Sequence, residues 1–244
     1  MQAMGSAVRM FVLTGAGISA ESGIPVFQGT NWRGRSHYEL ASIDAWHAAP
    51  QLVWSYYSER RRRARDARPN PAHFALAEAQ RSAKYQGFFL CTQNVDDLHE
   101  AARSTEVAHI HGKLFESRCA EGCGRPAFAD REIYDEELPR CPCGALIRPN
   151  VCWFGEQPYM LDRIHDELER CNLFLAIGTS GSVQPVSSFV ALLKGRTVPA
   201  RTIYAGLEEP ANSAYFDDVR IGPASRIVRD VLSEIERASG PMRA

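Results

Sequence analysis

The stretch Arg9-Met-Phe-Val-Leu-Thr-Gly15-Ala-Gly17-Ile-Ser-Ala20-Glu-Ser-Gly-Ile-Pro-Val-Phe27 decides the fold. Met10 to Leu13 is an apolar run of strand length, and Gly15-Ala-Gly17-Ile-Ser-Ala20 follows at once. This is the Gly-x-Gly-x-x-Gly/Ala pattern of a dinucleotide-binding turn between a strand and a helix. Gly15 permits a tight turn, Gly17 lets backbone N–H groups approach a pyrophosphate, and Ala20 lets the helix pack close to the sheet. An ordinary glycine turn fits the same letters, so the rest of the chain must decide.

Outward from that turn the pattern repeats. Gly87-Phe-Phe-Leu-Cys91 ends in Thr92-Gln93-Asn94-Val95-Asp96-Asp97, and Val107-Ala-His-Ile110 delivers His111-Gly112. Leu173-Phe-Leu-Ala-Ile177 ends in Gly178-Thr179-Ser180-Gly181, and Thr202-Ile-Tyr204 is a further strand candidate. Helical spacing separates them: over 39–68 with Leu52, Val53, Tyr56 and Tyr57 on one face, over 72–79 behind an Asn70-Pro71 start, at Leu161, Ile164, His165 and Leu168, at Val186, Phe189, Val190 and Leu193 before Gly195, and at Ile227 to Ile235. Strands alternating with helices, each strand ending in small or polar residues, predict an α/β fold with a doubly wound, Rossmann-like parallel sheet. A smaller zinc-binding and helical domain interrupts it. The boundaries read as 1–31, 73–111 and 151–244 for the sheet domain, 32–72 for the helical insertion and 112–150 for the zinc module. The arginine run after Glu59 reads, for most of its members, as a solvated helix face.

Composition narrows the function classes. A net charge of −1 over 244 residues offers no electrostatic footprint for nucleic acid. No apolar run approaches the roughly 20 residues that span a bilayer, and the ten residues MQAMGSAVRM are too short for a signal or transit peptide. The expectation is a cytoplasmic protein without membrane or nucleic-acid partners. Four of the seven cysteines, Cys119, Cys123, Cys141 and Cys143, fall in one segment. Two close pairs across a short loop suit a four-thiolate structural zinc site with no open position for water. Cys91, Cys152 and Cys171 read as buried small hydrophobes. His111 is either a structural histidine or a general base, since imidazole titrates near neutrality and this one shares a sheet end with Gln93, Asn94 and Asp96.

Taken together, Gly15-Ala-Gly-Ile-Ser-Ala-Glu-Ser-Gly-Ile-Pro25, Thr92-Gln-Asn-Val-Asp96, His111-Gly112, the cysteine pairs, Trp153-Phe-Gly-Glu156 and Gly178-Thr-Ser180 occur in the order seen in sirtuins. The chain resembles these NAD-dependent protein-lysine deacylases over nearly its whole length. The resemblance implies that NAD is consumed as a co-substrate, with nicotinamide leaving and the acyl oxygen attacking the ribose carbon. It implies His111 as the base on a ribose hydroxyl, and Gln93, Asn94 and Asp96 around the nicotinamide and ribose. It places Gly15, Ala16, Gly17, Ser19, Ala20, Glu21, Phe27, Gln28, Trp32, Gly178, Thr179, Ser180, Gly206, Leu207, Glu208 and Ala224 along the rest of the NAD. Val151, Phe154, Gly155, Glu156 and Val183 would bind the substrate peptide as an added strand.

Tyr57-Ser-Glu-Arg60 further resembles the Tyr-x-x-Arg pair of class III sirtuins, which remove succinyl, malonyl or glutaryl groups. A charged acyl tail needs a cation and a hydroxyl in an otherwise apolar tunnel, which Arg60 and Tyr57 would supply, with Ala41 leaving room. The arginine run would also supply such an arginine by accident. Three positions depart from the family: Gln28 where an arginine is usual, Gly206 where an asparagine is usual near the adenosine, and Gln184 where many relatives carry tyrosine or histidine. The alternatives are an NAD glycohydrolase or ADP-ribosyltransferase, and a non-catalytic module binding NAD or acyl-lysine.

Overall fold

Along Val8–Thr14 the side chains alternate between two faces, and both faces are buried. Val8, Met10 and Val12 enter one apolar cluster, while Phe11 and Leu13 enter another. A strand buried on both sides must read as a continuous apolar run, which is why its sequence shows no alternation. The computed structural model describes residues 8–26 and 31–238, so the expectations placed on Phe27 and Gln28 lie outside the described residues.

Six strands form one parallel sheet in the order Asp218–Ile221, Arg201–Gly206, Leu173–Ile177, Val8–Thr14, Tyr85–Thr92, Ala108–His109. Helices Pro71–Gln80 and Ala224–Ala238 cover one face; helices Leu161–Arg170 and Phe189–Lys194 cover the other. Leu161–Arg170 is held by two buried residues, Ile164 and Leu168. At about 1.5–3 kcal/mol each, they outweigh its exposed Arg170–Glu167 pair, worth at most about 1 kcal/mol. The chain runs outward from Val8–Thr14 on one side, then returns to fill the other from Leu173–Ile177. The crevice between these two strands is therefore the topological switch point, where open α/β sheets bind ligands.

The helical stretch expected over 39–68 is three helices: His37–Leu40, Ile43–Ala48 and Pro50–Asp66. Local chemistry divides it. Ser42 Oγ accepts from Ala45 N at 3.1 Å as a helix cap, and Pro50 opens the third helix. The 72–79 helix runs Pro71–Gln80, with Asn70 Oδ1 accepting from Ala72 N at 3.0 Å. The cysteine segment is better ordered than its sequence suggested. Gly112–Cys119 pairs antiparallel with both Phe128–Ala129 and Ile147–Val151.

A third cluster joins that small sheet to the helices, with Trp54, Tyr56, Tyr57, Leu114 and Trp153 buried in it. At its edge lies Arg61, 0% exposed. It pairs with Asp130 at 3.2 Å and donates to the carbonyls of Leu114 and Glu132 and to Ser117 Oγ. The solvated-face reading holds for Arg62, Arg63 and Arg65 and fails for Arg61, whose position on the helix turns it inward.

Candidate active site

Two glycine turns meet at the switch point. Gly15 N donates to the Ile177 carbonyl and Gly17 N to the Gly178 carbonyl, each at 2.9 Å. A β-carbon on Gly17 would lie 2.7 Å from Gly178 Cα, and one on Gly178 would lie 2.6 Å from Ile18 N. Gly178 also has φ +59°, a conformation that disfavours other residues. Backbone therefore abuts backbone here.

Beside this contact lies a buried polar network. Asn94 Nδ2 donates to the Gly15 carbonyl at 3.1 Å and to Ser19 Oγ at 3.0 Å; Ser19 Oγ donates to Asp96 Oδ2 at 3.1 Å. Burial raises the Asp96 pKa, and its bonds from Leu98 N and Ser19 oppose that rise. The strand carrying His109 is only two residues long, so His111 sits beyond it. His111 Nδ1 lies 3.1 Å from the Gln93 carbonyl. A carbonyl only accepts, so Nδ1 carries the proton and Nε2 keeps its lone pair. Burial lowers the His111 pKa and the Gln93 bond partly offsets it, which keeps the ring neutral at neutral pH.

A cleft of about 830 Å³ runs from the glycine turns past His111 to the helical segment that carries Ala41, Tyr57 and Arg60. Gly15, Ala16, Gly17, Ser19, Gly178, Thr179, Ser180, Leu207 and Glu208 line one end, and Gln93, Asn94 and Asp96 stand beside His111. Val151, Phe154, Gly155, Glu156 and Val183 line the wall, with Ala41, Tyr57 and Arg60 at the far end. Trp153 Nε1 donates to Tyr57 Oη at 2.9 Å, so the phenol proton is left to donate elsewhere. Burial raises the Tyr57 pKa and keeps that proton on. Arg60 Nη1 donates to Tyr56 Oη at 3.0 Å. The Glu156 carboxylate takes Arg148 on both oxygens, at 2.6 and 2.9 Å, and also Trp153 N at 2.8 Å. Burial alone would raise its pKa; the Arg148 bonds override this and lower it. These bonds hold the 153–156 turn in shape.

Several expected residues lie off the cleft. Glu21 accepts from Ser225 N at 3.0 Å and Ser225 Oγ at 2.6 Å, tying the glycine helix to the start of Ala224–Ala238, where Ala224 is buried. Trp32 packs edge-on to Tyr56 at 5.7 Å. Ala20 and Gly206 also stand back from the lining. Several lining residues were not expected from the sequence, and two of them stand out. Cys152, expected to be buried, is half-buried on the cleft wall, its N donating to the His111 carbonyl at 2.9 Å. Tyr38 is exposed at the rim, 4.9 Å from the Phe154 ring. Neither belongs to a motif that would have flagged it.

Among the described residues, Cys119, Cys123, Cys141 and Cys143 place their Sγ atoms within 4.8 Å of one another. The separations of 3.6 Å for Cys119–Cys143 and 3.7 Å for Cys123–Cys141 are too long for disulfides. They match the edge of about 3.8 Å expected for a tetrahedron with zinc–sulfur bonds of about 2.3 Å. The donor set fits one structural zinc ion. No helix among the described residues is long and apolar enough to cross a membrane.

Residues 15–185 match the model of the Sir2 family. An NAD-dependent protein deacylase of Leishmania major is 41% identical over 236 residues, covering 93% of this chain and 96% of the relative. The mitochondrial NAD-dependent protein deacylase sirtuin-5 of Xenopus tropicalis is 38% identical over 226 residues, covering 81% and 73% respectively. The crystal structure of a Sir2 homologue in complex with NAD superposes with a TM-score of 0.88 at 36% identity, over 98% of this chain and 93% of that one.

Proposed function

The chain belongs to the Sir2 family, and we propose that it is an NAD-dependent protein-lysine deacylase that favours succinyl, malonyl or glutaryl groups. One observation carries the proposal. The neutral His111, its Nδ1 proton held by Gln93, stands on a single cleft between a glycine-built end and an end holding Tyr57 and Arg60.

NAD, as second substrate, supplies a glycosidic bond whose cleavage releases nicotinamide and frees a ribose carbon for the acyl oxygen. His111 Nε2 takes a proton from a ribose hydroxyl. Gln93, Asn94 and Asp96 surround the nicotinamide and its ribose, with Asn94 and Asp96 held in place through Ser19. The close backbone at Gly15, Gly17 and Gly178 brings the two glycine turns together at the switch point, the place at which such sheets bind the phosphates of a dinucleotide. At the other end, the Arg60 guanidinium and the Tyr57 hydroxyl meet the carboxylate of an acidic acyl tail, and Ala41 leaves space for its length. The peptide lies as an extended strand between the 154–156 turn and Val183. The substrates are acylated lysines of proteins, the setting is cytoplasmic, and nucleic acid and membrane are not partners; the near-neutral charge supports the last point.

The test is mass spectrometry of a succinyl-lysine peptide incubated with NAD. Loss of succinyl with formation of O-succinyl-ADP-ribose is the expected result. Nicotinamide release without loss of the acyl group would mean NAD hydrolysis instead.

A further inference from the structure

Tyr204 stands two residues before Gly206 at the carboxyl end of Arg201–Gly206. Its ring is buried against Phe216 at 5.6 Å. Its hydroxyl lies 3.2 Å from the Thr179 carbonyl and 2.9 Å from the Glu208 carbonyl. These carbonyls belong to the two loops at the dinucleotide end of the cleft, and Tyr204 itself lines that end. Burial, with the nearby Glu208 charge, pushes the phenol pKa up to about 12, so it remains a donor at neutral pH.

The same ring explains Gly206. A β-carbon there would lie 2.7 Å from Tyr204 Cζ and closer still to the hydroxyl. The space that a side chain at 206 would use is filled from position 204.

We infer that Tyr204 is a positioning residue for the dinucleotide: its hydroxyl ties the Gly178–Ser180 loop to the 206–209 loop and fills the space above Gly206. The inference rests on the reading of the cleft as an NAD site. The missing side chain at 206 is then no loss of closure, because the closure comes from two residues upstream. It also predicts a coupling, since a methyl group at 206 does harm only while the phenol is present.

The experiment is calorimetric titration with ADP-ribose, alongside steady-state kinetics in NAD and unfolding midpoints, for the full chain and its variants. Tyr204→Phe removes one hydroxyl; ADP-ribose should bind about three- to tenfold more weakly, the range for one lost hydrogen bond. KM for NAD should rise by the same factor, with kcat changing by less than about twofold, because the tie acts on binding and not on the reacting atoms. Gly206→Ala should weaken binding in the natural background and have no effect in a Tyr204→Val background. Unchanged ADP-ribose affinity in Tyr204→Phe overturns the inference. So does an equal penalty for Gly206→Ala in both backgrounds, or a lowered unfolding midpoint with kcat falling and KM for NAD unchanged. If the unaltered chain binds no ADP-ribose, the NAD reading itself fails, and this inference with it.

Discussion

The two ends of the cleft are built by different means. At the dinucleotide end, backbone meets backbone: Gly17 and Gly178 approach so closely that neither tolerates a β-carbon. The sheet beneath is apolar on both faces. At the acyl end, side chains are held by other side chains: Tyr57 by Trp153, Glu156 by Arg148, and the Pro50–Asp66 helix by Arg61 against Asp130. Behind them, at the end of the small sheet, stand the four clustered cysteines that fit a zinc ion. The first design is sensitive above all to added volume. The second depends on charge, polar pairing and metal.

His111 lies where the two ends meet, and its loss should break both at once. His111→Ala should lower kcat/KM by about 10²–10⁴-fold, with an unfolding midpoint close to that of the unaltered protein. The pH profile sharpens this. The imidazole must be neutral to accept a proton, and burial lowers its pKa, so the acid limb of kcat/KM should fall below pH 6.5, the ordinary value. An acid limb above that value would contradict the buried-base assignment.

Next in size is the break at the acyl end. Arg61→Met leaves Asp130 buried without its cation, which should cost about 3–5 kcal/mol. Amide exchange should show Gly112–Cys119 and Ile147–Val151 losing protection while Val8–Thr14 keeps it. Uniform loss would mean that the two halves do not differ as described. Removal of zinc by a chelator should give the same local pattern.

Gly17→Ala tests the other design. Its methyl must push the facing backbones apart, at a cost of about 1–3 kcal/mol, read as a raised KM for NAD with unchanged preference among acyl groups. The smallest effect comes from His73 and His99, buried side by side at 5.0 Å against the sheet side. Burial pushes their pKa values down to about 4 and about 3, from 6.5 when unfolded. The unfolded chain therefore takes up protons first, and stability is lost as pH falls from about 6.5 toward about 3. Between pH 7 and 6 the loss should stay under about 1 kcal/mol for each imidazole. Urea midpoints measured across that range, with a shallower decline in His73→Gln, check it.

The same contrast explains what the sequence revealed. The glycine turn and the polar residues of 92–97 were legible because strand ends carry ligands, so position along the chain implied position in space. Arg61 was not, because it sits among identical charges and only the phase of the helix, with Asp130 far along the chain, turns it inward. Tyr204 read simply as a strand aromatic, since its hydroxyl acts across to a different loop. The edge strand Asp218–Ile221 escaped notice because its alternating charges, half exposed, give no apolar signal. Cys152 looked like any core cysteine until the fold turned it toward the cleft.

The acidic-acyl assignment is tested most directly by one ratio: kcat/KM for a succinyl-lysine peptide over that for the matching acetyl-lysine peptide, at saturating NAD. A charge-assisted contact to Arg60, worth about 1.5–3 kcal/mol, predicts a ratio of at least about ten, collapsing by a similar factor in Arg60→Met. Equal turnover of both peptides, with the ratio unmoved by Arg60→Met, would contradict it.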